Sequence, residues 1–271
     1  MTIVHVPTYA VRGRTADTSA GPSRGAEALA EALGDRLGDA PVRLGSFGEP
    51  RAARYDEDLR DARPLLHDVR DLVLHRLADA QPFVLAAGDC SIAVGTLPAV
   101  AQARGNAKIL WLDAHGDYNT PATSGSGYLG GMCLAGACGA WSTGFDGTTD
   151  PANVVLAGVR DLDSGERDLL AASGATVLGP DEIDGVVPAL GEDPVFIHLD
   201  IDVLDPQVMP ATPVPAPGGL SVAALAGLLA AVKAGRWILG IEITAFDLPE
   251  DDGEAGRLTA LLADTVAPLL R

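Results

Sequence analysis

Seven short apolar runs divide the chain: IVHV (3–6), PFVLAAG (82–88), KILWLD (108–113), NVVLAGV (153–159), ATVLG (175–179), PVFIHLD (194–200) and RWILGIEI (236–243). Most are apolar without interruption, whereas a strand with one wet face would alternate. Such runs belong in a sheet covered on both sides. Between them, apolar residues recur at helical spacing in GAEALAEALGDRL, DEDLRDARPLLHDVRDLVLHRLADA, SIAVGTLPAVAQAR, SGERDLLAAS, SVAALAGLLAAVKAG and EAGRLTALLADTVAPLL. Strand–helix alternation predicts an α/β fold, a three-layer α/β/α sandwich around a mostly parallel sheet. No linker rich in Pro, Gly and Ser separates two cores. The proline-rich loop LDPQVMPATPVPAPGG (204–219) lies between two elements of the same sheet. The expectation is a single domain over residues 1–271.

Charge and cysteine usage narrow the partners. The formal net charge is −18. An acidic chain repels phosphate backbones, which argues against nucleic acid. No apolar run has the length of a membrane span. The opening MTIVHVPTYAVRGR lacks a charged segment before an apolar core, so no secretory signal is expected. Three cysteines, Cys90, Cys133 and Cys138, are a low and odd count. They fit a reducing cytoplasm better than a disulfide framework. Assembly into a homo-oligomer is left open.

In an open parallel sheet, ligands bind outside the carboxyl ends of the strands. The chemically informative residues fall there. One run ends in Gly88-Asp89-Cys90-Ser91, another in Asp113-Ala114-His115-Gly116-Asp117, and a third in Asp200-Ile201-Asp202; Glu242 lies in the last run. Asp200 and Asp202, two apart on an extended strand, point the same way. Asp113, His115 and Asp117 do so roughly. Four carboxylates and one imidazole at one sheet edge would repel, and several carboxyls would stay protonated. Two divalent cations remove that cost. Carboxylate-rich sites with few nitrogen ligands suit Mn²⁺ or Mg²⁺ better than Zn²⁺. Two such ions roughly 3.5–4 Å apart can share one water and ionise it at neutral pH. A lone Asp-x-Asp is ordinarily a solvated turn; two motifs, each after a buried strand, favour the metal reading. Cys133 and Cys138 read as core residues, His67 and His75 as surface residues. His198, two residues before Asp200, reads as packed or supporting rather than ligating.

DAHGDYN, HLDIDVLDP, PATPVPAPGGL and the GDCS turn together resemble the ureohydrolase family of arginases and agmatinases, over about residues 82–245. The resemblance implies an arginase-like fold and hydrolysis of a guanidino group at a two-manganese centre. It implies that Asp113 and Asp200 bridge the metals, that Asp117 completes one shell, and that His115 and Asp202 complete the other. Glu242 matches the glutamate that faces the substrate guanidinium, a charge-assisted pairing; it and Asp117 are the catalytic candidates. Asn119 and Ser126 match positions that contact an α-carboxylate, and Asp163 matches the residue that holds an α-ammonium. This set points to a guanidino amino acid rather than to agmatine. Bland alternatives stand beside it: Asn119 and Ser126 could shape a turn, and Asp163 could cap the helix that starts near Ser164.

Two positions depart from the family. Its first metal ligand is a histidine in a GDHS turn; here Cys90 stands there, a softer ligand less suited to manganese. Arginases carry a proton-shuttling histidine in a stretch like SGNLHG; here the stretch is SGYLGG, with Gly130 at that place and Tyr128 two residues before it. Losing a positioned proton donor typically costs ~10²–10⁴-fold in rate. A less basic guanidine tolerates that loss. GYLGGM followed by GACG resembles the branch of the family in D-cycloserine biosynthesis that converts Nω-hydroxy-L-arginine to hydroxyurea and L-ornithine. The expected function is therefore a binuclear-metal hydrolase of that substrate. The alternatives are an arginase, or other guanidino amino-acid hydrolase releasing urea, and a catalytically dead arginine-binding protein. Four retained metal-facing aspartates weigh against the last.

Overall fold

The computed structural model describes residues 6–12, 19–46 and 48–271. Its strands are β1 (Thr8–Val11), β2 (Val42–Leu44), β3 (Val84–Ala87), β4 (Lys108–Leu112), β5 (Val154–Ala157), β6 (Thr176–Leu178), β7 (Val195–Asp200) and β8 (Ile238–Thr244). They form one eight-stranded sheet in the order β2-β1-β3-β8-β7-β4-β5-β6. Every pairing is parallel, a stricter outcome than the mostly parallel sheet expected. Of the run expected as a strand at 3–6, residues 3–5 lie outside the described residues, and Val6 precedes the first strand. The two strands the sequence hid are β1, which opens on a threonine, and β2, three residues at the sheet edge that are exposed or half-buried.

The helices are α1 (Gly21–Leu37), α2 (Tyr55–Ala78), α3 (Ala93–Ala103), α4 (Cys133–Ala137), α5 (Ser164–Ser173), α6 (Val186–Leu190), α7 (Val222–Ala234) and α8 (Asp252–Leu270). α2 buries Leu59, Ala62, Leu66, Val69, Val73 and Leu77, a three-four spacing that makes one apolar stripe. Acids in its first turn and His75 and Arg76 in its last oppose the helix dipole. α7 starts where the Ser221 hydroxyl accepts the Ala224 amide at 3.1 Å. α2 and α3 cross closely because residue 95 is glycine; a Cβ there would meet the Leu66 carbonyl oxygen at 2.6 Å.

Successive strand residues point to opposite faces, and the two faces bury separate cores. Val84, Leu110, Ile197 and Ile241 pack against α1, α7 and α8. Leu85, Trp111, Phe196 and Leu239 pack against α2 and α3. β3, β8, β7 and β4 are adjacent at the centre of the sheet. Their carboxyl ends therefore lie side by side, at the point where the chain order reverses. That brings residues 88–91, 113–117, 200–202 and 244–245 to one edge.

Candidate active site

The loop after β3 is set by Asp89, whose carboxylate accepts the Ser91 amide at 2.7 Å. This caps a single 3₁₀ turn, Cys90–Ile92, and presents Cys90 over the sheet. Its thiol donates to Asp200 Oδ2 at 3.0 Å and lies 3.3 Å from Thr244 Oγ1. After β4, Asp113 Oδ1 accepts the His115 amide at 2.7 Å, and Oδ2 accepts Trp111 Nε1 at 3.0 Å. After β7, Asp200 Oδ1 accepts the Asp202 amide at 2.8 Å. Asp202 Oδ1 accepts the Ala114 amide at 3.0 Å, which ties the two motifs together. His115 Nδ1 lies 3.0 Å from Asp202 Oδ2 and 3.4 Å from Asp113 Oδ1. Asp117 occupies the left-handed region at φ 48°, an uncommon conformation for a residue with a side chain. The amides of Leu134 and Ala135 at the start of α4 bond its carbonyl and hold it there.

Asp113, Asp117, Asp200 and Asp202 are all at most 6% exposed. Burial, followed by repulsion from neighbouring carboxylates, pushes Asp117 and Asp200 well above the usual carboxylate range and Asp113 upward too. Asp202 is held low by His115, and the same contacts raise His115 to about 12. Without a cation this cluster is strained, and the His115 Nε2 atom is buried with no hydrogen bond among the described residues. Cys90, Asp113 and His198 bring ligand atoms within 4.8 Å of one another; so do Asp113, His115 and Asp202. Asp113 is common to both groups. The donor set thus fits two adjacent cations.

A cleft of about 440 Å³ opens over this cluster. Its wall carries Asp89, Asp117, Asp161, Asp163, Glu166, Asp200 and Asp202 and, among the described residues, no Lys or Arg, so it favours cations. Asn119, Ser126 and Asp163 line it. Asn119 Nδ2 donates to Asp163 Oδ2 at 3.1 Å, and the Ser126 hydroxyl accepts the Tyr128 amide at 3.2 Å. Asp163 also stands at the N-cap of α5, where Glu166 Oε2 accepts its amide at 3.3 Å. The capping and substrate-facing readings of Asp163 are therefore compatible. The 204–219 loop is fastened by Arg160, whose guanidinium bonds the carbonyls of Asp202 (2.6 Å), Ala216 (2.7 Å) and Gly158 (2.9 Å). No feature of the sequence singled out Arg160.

Glu242, expected to face the substrate guanidinium, is fully buried and is not among the residues that line the cleft. It sits inside β8, opposite His198, two residues short of the Thr244 that pairs with Asp200. Its Oε1 bonds His198 Nδ1 at 2.7 Å, and the His198 ring stacks on Trp111 at 3.5 Å. The residue of that chain segment which reaches the cleft is Ala245, at φ 64°. His198 packs as the sequence suggested, yet closer to Cys90 and Asp113 than a distant supporting residue would be. Cys133 is wholly buried, with Sγ 3.7 Å from Asp117 Oδ2.

The sequence matches the arginase family over residues 3–269. The chain belongs to that family, whose members are binuclear metal-dependent ureohydrolases, and it is a metal-dependent guanidino hydrolase. It is 39% identical over 227 residues to the N(omega)-hydroxy-L-arginine amidinohydrolase of Streptomyces lavendulae, covering 82% of each chain. It is 36% identical over 185 residues to the arginase of Bacillus subtilis, covering 61% of this chain and 62% of that one. The crystal structure of arginase from Bacillus cereus superposes with a TM-score of 0.84 at 26% identity, over 98% of both chains. No described helix is long and apolar enough to cross a membrane.

Proposed function

We propose that this enzyme hydrolyses Nω-hydroxy-L-arginine to hydroxyurea and L-ornithine at a two-manganese centre. The observation that carries the reading is the pair of replacements at the cleft: a thiol at residue 90 and no side chain at residue 130. The likeness to a hydroxyarginine amidinohydrolase supports it. Asp113 and Asp200 would hold both ions. Cys90 and Asp117 would complete one shell, and His115 and Asp202 the other. When bound, the ions supply an ionised water for attack on the guanidine carbon. Asp117, a carboxylate lining the cleft beside the other metal-facing groups, would be placed to carry a proton to the departing nitrogen of ornithine. Asn119, Ser126 and Asp163 take the α-carboxylate and α-ammonium and fix the distance from the amino-acid end to the metals. The N-hydroxyl group lowers the basicity of the guanidine, so departure needs less help from a proton donor.

The test is to compare hydroxyurea release from Nω-hydroxy-L-arginine with urea release from L-arginine on manganese-loaded protein. The reading expects kcat/KM for the hydroxylated substrate to be higher by on the order of 10² or more. Equal or higher activity on L-arginine would make the enzyme an arginase. Metal and ornithine binding without turnover of either substrate would leave a binding protein.

Cys90 gives a graded expectation. Cys90→His should keep two ions bound and leave activity on L-arginine equal or higher, since imidazole suits manganese better than thiolate. Cys90→Ser should weaken one ion and lower turnover. Replacement of Mn²⁺ by Co²⁺ should give a thiolate charge-transfer band that vanishes in both variants. Full metal content and full turnover in Cys90→Ala would make Cys90 an ordinary buried residue.

A further inference from the structure

The side chain of Tyr128 and the bare backbone of Gly130 occupy one place. A Cβ built on Gly130 would lie 2.5 Å from Tyr128 Cε1, 2.8 Å from Cζ and 3.0 Å from Oη. Carbon atoms do not pack that closely. The backbone does not demand glycine here, for Gly130 is not among the residues of positive φ; it simply opens a 3₁₀ turn, Gly130–Met132. A Cβ on the adjacent Gly131 would meet nothing within 4 Å. A side chain at residue 130 would therefore require the end of the Tyr128 ring to move aside. Tyr128 and Gly130 both line the cleft that holds Cys90 and His115.

We propose that Tyr128 is the specificity-determining residue of this cleft: its ring fills the space a side chain at 130 would take, and its hydroxyl is the polar group offered there to the hydroxylated end of the substrate. The inference rests on the proposed guanidino amino-acid reading and names how that substrate is chosen. A tyrosine hydroxyl can donate one hydrogen bond and accept others, which matches an N–OH group. It is a poor proton shuttle, which disfavours an unsubstituted guanidinium.

Two sets of variants test this. In the first, Gly130→Ala, Tyr128→Ala and the double variant are compared by thermal unfolding and by calorimetric binding of L-ornithine to the manganese-loaded protein. With Tyr128 present, the new methyl should weaken ornithine binding at least tenfold; with Tyr128→Ala it should be neutral or raise Tm, because alanine is otherwise favoured over glycine at an ordinary φ. Equal effects of Gly130→Ala in both backgrounds would overturn the shared-space inference. In the second, Tyr128→Phe keeps the ring and loses the hydroxyl. Its ratio of kcat/KM for hydroxyarginine over arginine should fall at least tenfold at unchanged Tm; an unchanged ratio would overturn the role of the hydroxyl. Preference of the unaltered enzyme for arginine would instead overturn the substrate reading, while the coupling between residues 128 and 130 is still read from Tm and ornithine binding.

Discussion

Asp113→Ala and Asp200→Ala are expected to abolish turnover, by on the order of 10³-fold or more, and to strip metal from both positions rather than one. The expectation follows from sharing. Asp113 belongs to both groups of convergent donors, and Asp200 touches Cys90 with one oxygen while its other oxygen holds the Asp202 amide. Removing a ligand of one ion alone would leave the second in place. Removing a shared ligand takes one of the two bridging carboxylates from both ions at once and leaves their mutual repulsion less screened. Metal analysis by plasma emission, beside the kinetics and a Tm for each variant, separates loss of ions from loss of fold. A single tightly held Zn²⁺ at full activity in the unaltered enzyme would contradict the two-manganese centre.

Chelation should destabilise the protein, and increasingly so as pH rises. The direction follows from the carboxyls. In the metal-free fold, Asp113, Asp117 and Asp200 hold protons more tightly than their ordinary value of 3.8. Above that pH the unfolded chain releases protons that the metal-free folded chain still retains, so metal-free stability falls as pH rises. Bound cations displace those protons and reverse the cost, and they bind better where fewer protons compete. At a hundredfold excess over Kd, each site adds about 2.7 kcal/mol. For a chain of this size, one kcal/mol moves Tm by roughly 2–4 °C. Unfolding scans with EDTA or Mn²⁺ at pH 5.5 and pH 8 should therefore show a gain of several degrees that is larger at pH 8. An equal or smaller gain at pH 8 would contradict it.

The legible parts of this protein were its buried strands and the motifs at their ends. Unbroken runs such as KILWL and VFIHL carry their own burial in their composition, and the aspartates that follow them are conspicuous for their cost. β1 and β2 carried no such signal: β2 is three residues at an edge, too short for any period to show. Glu242 was hard to place for a different reason. A glutamate in an apolar strand invites a functional reading, but depth in the sheet depends on register. Register places Glu242 opposite His198, one layer beneath Asp200 and Thr244. The residue that does emerge, Ala245, has no polar group to announce it. Gly130 was legible as an absence, but the ring that fills the absence belongs to a residue two positions away. Arg160 was invisible because its partners are backbone carbonyls, which every sequence possesses.

The strand order has a bearing on how the protein is made. β3 and β4 follow one another in the chain but never touch; β8 and β7, from the last third, lie between them. Until those strands have emerged from the ribosome, the facing edges of β3 and β4 have no native partners. Both are apolar strands of the kind that pair readily with other chains. In the strand order, the segment carrying Cys90 and the segment carrying Asp113, His115 and Asp117 meet only through the strands that follow, one of which delivers Asp200 and Asp202. The proposed metal centre lies along the seam between those segments, which the strands of the carboxyl-terminal third fill.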